Sequence, residues 1–505
     1  MTDQPALIRA AFRRRLLPLF SGVAALAATL VITQSASAQR LGLPGQKEAE
    51  TGSWTKLTNQ PPFQTDTGLL LTDGTVMMHQ YSSANWWRLT PDSSGSYLNG
   101  TWSQLASMVS TYGPLYFASA VLPDGRVLVE GGEYNKGAQT ETNMGAIYDP
   151  VVNTWTTVNP PAGWSTIGDS PCVVLKDGTF MMGQGGFPST KQALFNAATL
   201  TWTPVGTGKA DAFSEEGLTI LPDGTVLLID TTNGTNSERY NPTTQLWSTA
   251  GSTIVKLTDA SSEEIGPKIQ RPDGTVVAFG GTVHNSIYNT TTSTWTVGPD
   301  FPGGNDMADA PAAILPDGNI LVFTSPGVFN PPGTFYFFDG ITFTPAPPTQ
   351  SSGNLTSYQG RQLVLPTGQV LWVAAEGRTI DAELFTSTGT ANPAWAPTIR
   401  RVPRTITRGT TFQISGTQFN GLSDGSDYGD DATNATNYPI VRLTNQASGH
   451  VFYARTHDHS SMGIATGSTI VSTMVDLPAN VETGRSTIEV VANGIASGAR
   501  RITVQ

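Results

Sequence analysis

The stretch LPDGRVLVEGG, residues 122–132, contains the pattern that decides the fold of this chain. Its apolar start leads into Asp124-Gly125, a dipeptide typical of tight turns between antiparallel strands, and a second apolar run then ends in Gly-Gly. Related phrases recur along the chain at intervals of 44 to 53 residues. They are LTDGTVMM (71–78), LKDGTFMMGQGG (175–186), LPDGTVLLID (221–230), RPDGTVVAFGG (271–281), LPDGNILVF (315–323) and LPTGQVLWV (365–373). A repeat of this length indicates an array of similar units.

Each repeat continues into a tail with two further strands, such as AIYDPVVNTWTTV at residues 146–158. Four short antiparallel strands in each of seven units predict a seven-bladed β-propeller of the kelch type. The segment GSWTKL, residues 52–57, resembles an isolated tail and is predicted to complete the last blade. The tail tryptophans are predicted to pack between neighbouring blades, and they are Trp102, Trp155, Trp202, Trp247 and Trp295.

Composition supports an all-β fold. The chain has 505 residues, with 53 Gly, 34 Pro and only 13% charged residues, which excludes a mainly helical protein. A hydrophobic content of 38% excludes wholesale disorder. Alternating apolar residues without Asp-Gly turns follow the last repeat, and they predict an immunoglobulin-like sandwich. The predicted domains are therefore a propeller over residues 52–396 and a C-terminal module over residues 397–505.

The N-terminus has the order of a cleavable export signal. Arginines at positions 9 and 13–15 precede the apolar run 16–32, and Ala36-Ser37-Ala38 follows. A membrane anchor is the alternative, but a run of 17 residues is short for a spanning helix. We predict a signal peptide over residues 1–38, a short segment over 39–51, and a periplasmic or extracellular protein without a membrane span after cleavage.

The charge balance restricts the partners. The chain has 28 Lys and Arg against 39 Asp and Glu, a net charge of −11, which disfavours nucleic acid and anionic membranes. Cys172 is the single cysteine and lies in an apolar run, so we expect a buried thiol and no intrachain disulfide. The sequence does not indicate an oligomeric state.

Candidate binding residues follow from the repeat. Residues eight or nine positions before the turn aspartate lie one strand length away, at the opposite mouth of the channel. They include Asp169, Glu215, Glu264 and Asp309, together with Tyr116, Tyr358 and Gln359. Carboxylates that converge there suit a hard divalent cation or acid–base catalysis. Solvated acids around a wet channel are the alternative.

Two further groups stand outside the repeat. Trp86 and Trp87 lie in a loop near the mouth and suit a sugar or another small ligand, although packing under a long loop explains them equally well. In the C-terminal module, His457 and His459 would point to one side of a strand and hold a metal ion. A hydrogen-bonded hairpin is the alternative for this pair. The acidic loop there is expected to be solvated rather than to bind Ca²⁺, and it contains Asp424, Asp427, Asp430 and Asp431.

The arrangement resembles the galactose oxidase and glyoxal oxidase superfamily over nearly all of residues 52–505. The resemblance rests on SYQGRQLVLPTGQVLWVAAEG (357–377), which leads through DAELFTSTG (381–389) and PTIRRV (397–402) into the C-terminal module. It implies a kelch propeller with an immunoglobulin-like module. It also implies oxidation of alcohols or aldehydes by one copper ion and a tyrosine radical cross-linked to cysteine.

The residues of that copper centre match only in part. By the resemblance, Tyr358 occupies the place of a ligand tyrosine and His457 that of the module's histidine, but Gln359 replaces the second histidine. Asp169 stands where the radical tyrosine would be, and Tyr116 or the next residue stands where its cysteine partner would be. We therefore expect no copper-radical chemistry.

Three functions remain open at this stage. The favoured one is a non-catalytic exported propeller that binds a carbohydrate or another small ligand at the mouth. The second is a non-redox, metal-dependent hydrolase, lyase or epimerase that uses Asp169, Glu215, Glu264 and His457. The third is an oxidoreductase on sugars, alcohols or aldehydes with a copper site rebuilt from Tyr358, His457 and His459.

Overall fold

The computed structural model describes residues 51–186, 188–430 and 435–505. The predicted signal peptide and residues 39–50 lie outside the described residues, as does Asp431. One compact unit extends from Glu50 to Gln505. Over the described ranges the fold is all-β, with four short 3₁₀ turns at Pro302–Gly304, Ser352–Asn354, Ser357–Gln359 and Pro393–Trp395. No helix in these ranges is long and apolar enough to cross a membrane.

The repeats fold into seven sheets of four antiparallel strands, numbered here in chain order by their first strand. Sheet 1 contains Thr65–Leu70, Val76–Gln80, Trp86–Thr90 and Thr101–Gln104; sheet 2 contains Ala118–Val121, Val127–Glu130, Gly145–Asp149 and Thr154–Val158. Sheet 3 contains Cys172–Val174, Phe180–Gly183, Gln192–Asn196 and Thr201–Val205; sheet 4 contains Thr219–Ile220, Val226–Ile229, Asn236–Asn241 and Leu246–Ser252. Sheet 5 contains Lys268–Gln270, Thr275–Ala278, Ser286–Asn289 and Thr294–Val297; sheet 6 contains Ala312–Ile314, Ile320–Thr324, Thr334–Phe338 and Phe343–Pro345. Sheet 7 contains Gly360–Val364, Val370–Ala374, Ala382–Ser387 and the N-terminal strand Gly52–Lys56.

The Asp-Gly turns form as the sequence predicts. In sheet 1, Asp73 Oδ1 accepts a hydrogen bond of 3.0 Å from the Thr75 backbone N–H, and Gly74 has a φ of 75°. The short aspartate side chain thus closes the turn, and the glycine adopts the left-handed conformation that the turn requires. The turn aspartates of sheets 2 to 6 make the same bond.

The first strands lie side by side from sheet 1 to sheet 4 and from sheet 5 to sheet 7, and the first strand of sheet 7 lies against that of sheet 1. Sheets 4 and 5 contact each other through their last strands. Three of the tail tryptophans connect their sheet to the one before it. Trp155 Nε1 donates to the Ala106 carbonyl, Trp247 Nε1 to Gln192 Oε1 and Trp295 Nε1 to Ser237 Oγ, at 2.8 to 2.9 Å. At these three interfaces the apolar ring packs between two sheets and its N–H is satisfied across the interface, whereas Trp202 Nε1 has no hydrogen-bond partner among the described residues.

The first strands run in the same sense, so the sheets share two distinct ends. Turn residues of neighbouring sheets touch at one end, where a Cβ on Gly178 would lie 2.3 Å from the Pro123 ring. We call this end the hairpin face. At the other end, the Asp309 N–H donates to the Ile265 carbonyl, and both residues precede their first strands. We call that end the mouth.

Residues 398–504 form a further sheet that lies on the hairpin face. Its strands are Thr398–Arg401, Thr405–Ile406, Thr411–Thr417, Ile440–Asn445, Val451–His457, Val471–Asp476, Gly484–Ala492, Ile495–Ala496 and Arg500–Val504. These strands enclose one apolar core, which includes Ile414, Val441 and Ile488. Thr456 N–H donates to the Thr72 carbonyl, and Arg455 donates to the Asp124 carbonyl, so the sheet contacts the turns directly. A small sheet of Pro114–Leu115, Tyr134–Asn135 and Ala138–Gln139 completes the strands.

One loop of the C-terminal module leaves its sheet and runs between the first strands. We call residues 420–430 the axial loop. Its strand Ser426–Asp427 pairs with the first strand of sheet 6. Ser426 Oγ accepts a bond from Val364 N–H of sheet 7, and Asp427 Oδ2 accepts one from Lys268 N–H of sheet 5. The loop is therefore held by three sheets and is largely buried, which corrects the prediction that it is solvated.

Candidate functional site

Five carboxylates meet at the mouth, and we call them the axial carboxylates. Oxygens of Asp169, Glu215 and Asp430 lie within 4.8 Å of one another, and so do oxygens of Glu264, Asp309 and Asp430. Asp430 belongs to both groups because the axial loop ends between them. Sheets 3, 4, 5 and 6 each supply one of the other four. The sequence predicted these four at the mouth, and the structure places them together there.

The position of each carboxylate follows from the repeat. Asp169 and Asp309 precede their first strands by three residues, while Glu215 and Glu264 precede theirs by four. Since the first strands run in the same sense, residues just before them lie at the mouth. A carboxylate in this position in four successive sheets therefore produces a cluster.

Burial makes the cluster electrostatically costly without a counter-charge. Asp169, Glu215 and Asp430 are buried, whereas Glu264 and Asp309 are partly exposed. Burial raises the pKa of Glu264 well above its usual range, and the neighbouring charges of Asp309, Glu215 and Asp430 raise it further. At neutral pH the cluster must therefore hold a proton or attract a cation.

Two glycines allow the axial loop to approach this closely. A Cβ on Gly429 would lie 2.2 Å from Asp309 Oδ1, and a Cβ on Gly217 would lie 2.2 Å from the Gly429 carbonyl oxygen. Any other residue at either position would push Asp430 away from its neighbours. The glycine in Tyr-Gly-Asp is thus part of the geometry that places Asp430.

Lys268 supplies a buried amine beside the cluster. Its side chain is 1% exposed, and Nζ has no hydrogen-bond partner among the residues that the structure describes. A Cβ on Gly217 would lie 2.6 Å from this Nζ, so the amine sits where the axial loop passes sheet 4. Burial lowers the pKa of Lys268, while Asp427 and Asp430 oppose that shift. The amine is a donor that a group bound at the cluster can use.

A second polar group lies on the sheet 7 side of the mouth. Arg361 donates to Glu376 Oε1 at 3.1 Å and lies 3.4 Å from Asp66 Oδ1, and all three side chains are buried. Tyr116 donates from its hydroxyl to Glu376 Oε2 at 2.9 Å. His79 Nδ1 lies 3.2 Å from Asp66 Oδ2. We call these five residues the Arg361 network.

The carboxyl group of Glu376 can gain or lose a proton near neutral pH. Burial raises its pKa to about 8, with a further contribution from Asp66, whereas Arg361 and the Tyr116 hydroxyl lower it. Burial likewise raises the pKa of nearby Tyr81 to about 12, and the charge of Glu376 adds to this shift. Tyrosines therefore remain protonated around a carboxyl group that can gain or lose a proton.

Tyr358 and Gln359 lie beside the Arg361 network. Gln359 Nε2 donates to the Tyr358 hydroxyl at 3.0 Å, and the Tyr358 carbonyl accepts a 2.7 Å bond from Arg361. The Tyr358 ring meets the exposed ring of Phe329 edge-on at 5.9 Å. With Tyr116, these side chains form an aromatic and polar wall next to the axial carboxylates.

The two adjacent tryptophans have different positions. Trp86 is fully buried, between Phe117 and Trp155 in the core of sheets 1 and 2, so it is not available to a ligand. Trp87 is partly exposed, stacks on Phe63 at 4.7 Å and donates to Gln80 Oε1. The alternation of a strand explains the difference, because neighbouring side chains point to opposite faces.

The histidine pair lies away from the mouth. His459 N–H donates to the Pro123 carbonyl in the turn of sheet 2, so these residues contact the hairpin face. The strand also ends at His457, and Asp458 has a φ of 51°, which breaks the alternation that the prediction assumed. His457 Nε2 accordingly faces Asp476, whereas His459 Nδ1 faces Thr473.

A third acidic group already contains its own cation. Lys209 Nζ lies 2.6 Å from Asp211, 3.2 Å from Glu216 and 3.3 Å from Glu238. Burial, together with the charge of Asp230, raises the pKa of Glu238 to about 7. Lys209 compensates part of the negative charge, so this group is explained as a buried ion-pair network.

Cys172 is buried, as predicted, and its thiol faces the Ser119 carbonyl at 3.7 Å. It lies in the first strand of sheet 3, in the apolar core beneath Asp169. In this position the Cys172 thiol cannot form a cross-link with the tyrosines of the mouth.

Stability is expected to fall as pH rises from about 5 to 8 when divalent cations are removed. Burial raises the pKa of Glu376 and of Asp424 to about 8 and that of Asp427 to about 7, all above their values in an unfolded chain. The folded state therefore retains protons that the unfolded state has lost. These groups contribute their full stabilisation below the pKa of the unfolded state, and that stabilisation is lost as the pH reaches the pKa of the folded state. Since one pKa unit corresponds to about 1.4 kcal/mol, we expect the loss to exceed that value.

Chemical unfolding at several pH values in the presence of a chelator measures this effect. The groups whose pKa is lowered in the folded state, such as Asp92 and Asp476, are ionised in both states between about pH 5 and 8. They therefore do not change how the free energy of unfolding depends on pH in this range. Asp424→Asn removes one of the titrating groups and should flatten the profile. A stability that increases from pH 5 to 8 would contradict the prediction.

The comparisons with known proteins concern the fold. No family model matches this chain, and no curated protein matches it. A fungal alcohol oxidase with catalytic diversity among the AA5 family, solved in complex with copper, aligns with a TM-score of 0.50 and 13% identity, over 90% of this chain and 99% of its own. The extracellular domain of a one-component system from B. thetaiotaomicron aligns with a TM-score of 0.45 and 11% identity, over 90% of this chain. This chain spans 58% of that second protein. The first likeness shows a shared fold.

Proposed function

We propose that the seven sheets are the blades of a kelch-type β-propeller, followed by an immunoglobulin-like module, in a protein of the galactose oxidase-like superfamily. Three observations support this proposal. First strands of most neighbouring sheets lie side by side, the N-terminal strand completes sheet 7, and the likeness to the fungal oxidase extends over 90% of the chain. We further propose that residues 1–38 direct export to the periplasm or the extracellular space.

We propose that the protein binds a divalent cation at the axial carboxylates and, through it, a carbohydrate or another small hydroxylated ligand. The convergence of the two carboxylate groups on Asp430 carries this proposal. Oxygen donors suit Ca²⁺, Mg²⁺ or Mn²⁺, and Ca²⁺ accepts six to eight oxygen ligands, which leaves positions for ligand hydroxyls. A bound cation would also reduce the repulsion between the carboxylates, which together with burial raises the pKa of Glu264.

The same donor set does not fit the copper centre of the superfamily. Each group of three or more His, Cys, Asp or Glu that could hold a metal ion in the described ranges consists of carboxylates alone. Copper(II) favours nitrogen ligands in a tetragonal arrangement. The predicted ligands His457 and His459 lie at the hairpin face, and His79 at the mouth is bonded to Asp66 and to the Ser83 carbonyl. The geometry therefore favours a hard cation over copper.

The wall next to the cation site supports a small organic ligand. Tyr358, Phe329 and Tyr116 present ring edges and faces, while the Tyr hydroxyl groups and Gln359 present polar atoms. An apolar surface with a few polar groups is typical of ligand sites. Trp86 takes no part in this wall.

One observation favours a second candidate function, a non-redox enzyme that moves a proton. Tyr116 and Glu376 form a hydrogen-bonded pair at the mouth, and the pKa of Glu376 is raised by burial to about 8. A carboxyl group of this kind can accept a proton from a substrate carbon or oxygen near neutral pH, as in a lyase, an epimerase or a hydrolase. The cation would then stabilise the developing negative charge on the ligand.

The first experiment is the metal content of the purified chain after separate exposure to calcium, manganese and copper, followed by dialysis and elemental mass spectrometry. We expect about one calcium or manganese ion per chain and no retained copper. Stoichiometric copper would overturn the proposal and favour the oxidoreductase. Retention of none of the three ions would refute the cation site, and ligand binding would then have to rest on the aromatic wall.

A further inference from the structure

A separate cleft lies beside the end of the N-terminal strand, between the segment before the first strand of sheet 7 and the loop after its second strand. It has a volume of about 390 Å³, which falls within the range of small-ligand sites. Its walls are two segments, residues 350–355 and residues 378–381, together with Lys56. The axial carboxylates do not line it.

The floor of the cleft is built from buried hydrogen bonds. Asp381 is 2% exposed and accepts a 3.1 Å bond from Ser351 N–H. Glu383 accepts a 2.7 Å bond from Gln350 N–H, and Lys56 donates to Gln350 Oε1 at 2.5 Å. The two carboxylates therefore hold the 350–351 turn in a defined position.

This turn leaves one donor unused. Ser351 is 8% exposed, and its hydroxyl has no hydrogen-bond partner in the part of the chain that the structure describes. A buried hydroxyl without a partner is unfavourable, because it has lost its hydrogen bonds to water. Because Ser351 lines the cleft, a ligand oxygen there would satisfy it.

Two cations face the same space. Lys56 lies 3.5 Å from Asp381, so its charge is partly compensated. Arg378 is exposed and lies in no ion pair with a described carboxylate. The carboxylates of Asp381 and Glu383 lie beside these cations, so Arg378 is the cation of the cleft that has no carboxylate partner in the described part of the chain. Arginine binds a carboxylate through two parallel N–H bonds.

The cleft and the mouth share one wall. Glu376 faces the Arg361 network, and two residues later Arg378 faces the cleft. Glu376 and Gly377 both have left-handed φ values, 61° and 62°, which turn the chain between these two directions. Arg378 also acts on the pKa of Tyr81 at the mouth, so the two spaces are close.

We propose that this cleft binds a sugar residue that carries a carboxylate, next to a sugar held at the mouth. The inference rests on the proposed function, because it assumes that the ligand is a carbohydrate. The carboxylate would accept bonds from Arg378 and the Ser351 hydroxyl, and Lys56 would add charge. The substrate class is therefore an acidic, uronate-containing oligosaccharide rather than a neutral one.

The test compares sodium trigalacturonate with neutral trigalactose by titration calorimetry, at one fixed concentration of free calcium in both solutions. The calcium keeps the axial cation in place, so that the sugar proposed to bind at the mouth can bind in both titrations. We expect trigalacturonate to bind more tightly than trigalactose, and Arg378→Ala to weaken its binding by about tenfold or more. Ser351→Ala should weaken it less. Arg401→Ala removes one exposed positive charge outside the cleft and should leave binding unchanged.

Equal affinity for the two trimers, no affinity for the acidic trimer, or an equal effect of Arg378→Ala and Arg401→Ala would each overturn the inference. None of these results bears on the cation site, because metal retention by the same preparations is measured separately. Loss of metal retention with intact binding of the acidic trimer would refute the proposed function and leave the cleft supported. Melting temperatures show that each variant is folded.

Discussion

Replacement of Asp430 by asparagine is expected to abolish retention of a divalent cation and to weaken its affinity by at least about 100-fold. Asp430 is the one carboxylate common to both groups at the mouth, so its loss removes a charged ligand from each. Asparagine has the same size and fits the same position beside Gly429. Calorimetric titration with calcium and manganese, at a pH near 8 where the cluster is most ionised, measures the change.

The same variant has a second signature. Because Asp430 is one of the charges that raise the pKa of Glu264, its neutralisation relieves repulsion in the cation-free protein. We therefore expect the Asp430→Asn chain to be at least as stable as the original when a chelator is present. Asp300→Asn, which removes an exposed carboxylate paired with His284, is the matched control and should retain the cation. Unchanged affinity in Asp430→Asn would eliminate the axial carboxylates as the site.

The repeat made much of the site predictable. The Asp-Gly turn marks one end of each hairpin, and a strand length counted backwards reaches Asp169, Glu215, Glu264 and Asp309. These residues converge because the first strands run in the same sense. The argument needed only the periodicity and the rise of a strand, both of which are local properties of the sequence.

The repeat pattern could not predict the position of the fifth carboxylate, that of Asp430. Asp430 lies in an acidic, glycine-containing stretch without apolar periodicity, which is also the composition of a solvated loop. Its burial depends on bonds to sheets that are distant in sequence, such as Asp427 to Lys268 N–H. The sequence feature that could have indicated this position is the glycine beside the acidic residues, since Gly429 permits the axial loop to approach Asp309 closely.

The Arg361 network was missed for a related reason. Arg361 lies near the start of the first strand of sheet 7, Glu376 follows the second strand, and Asp66 belongs to sheet 1. Charged residues within apolar strands indicate a buried ion pair, but the partner becomes visible only when the first and last sheets meet. The prediction for His457 and His459 was wrong in its premise, because the strand ends between them.

Replacement of Arg361 by alanine is expected to lower the free energy of unfolding by about 3–5 kcal/mol. The guanidinium is 2% exposed and faces both Asp66 and Glu376. Its removal leaves the buried Glu376 carboxylate without a cation and leaves Asp66 with His79 as its remaining partner in the network. The guanidinium also lies 4.1 Å from the centre of the Tyr428 ring and donates to the Tyr358 carbonyl, which ties the axial loop to sheet 7. Urea unfolding at pH 9, above the pKa of about 8 of the Glu376 carboxyl, gives the change.

Arg442→Ala is the matched control for this variant. Arg442 also pairs with one carboxylate, that of Glu489, but it is partly exposed on the C-terminal sheet, where such a pair contributes about 0–1 kcal/mol. Adding Glu376→Gln to Arg361→Ala should recover part of the lost stability, because it removes the uncompensated charge. If Arg361→Ala were no more destabilising than Arg442→Ala, the network would not hold sheets 1 and 7 together. Contact between the first and last sheets would then depend on apolar packing and on other hydrogen bonds, such as that from the Thr65 hydroxyl to the Ala374 carbonyl.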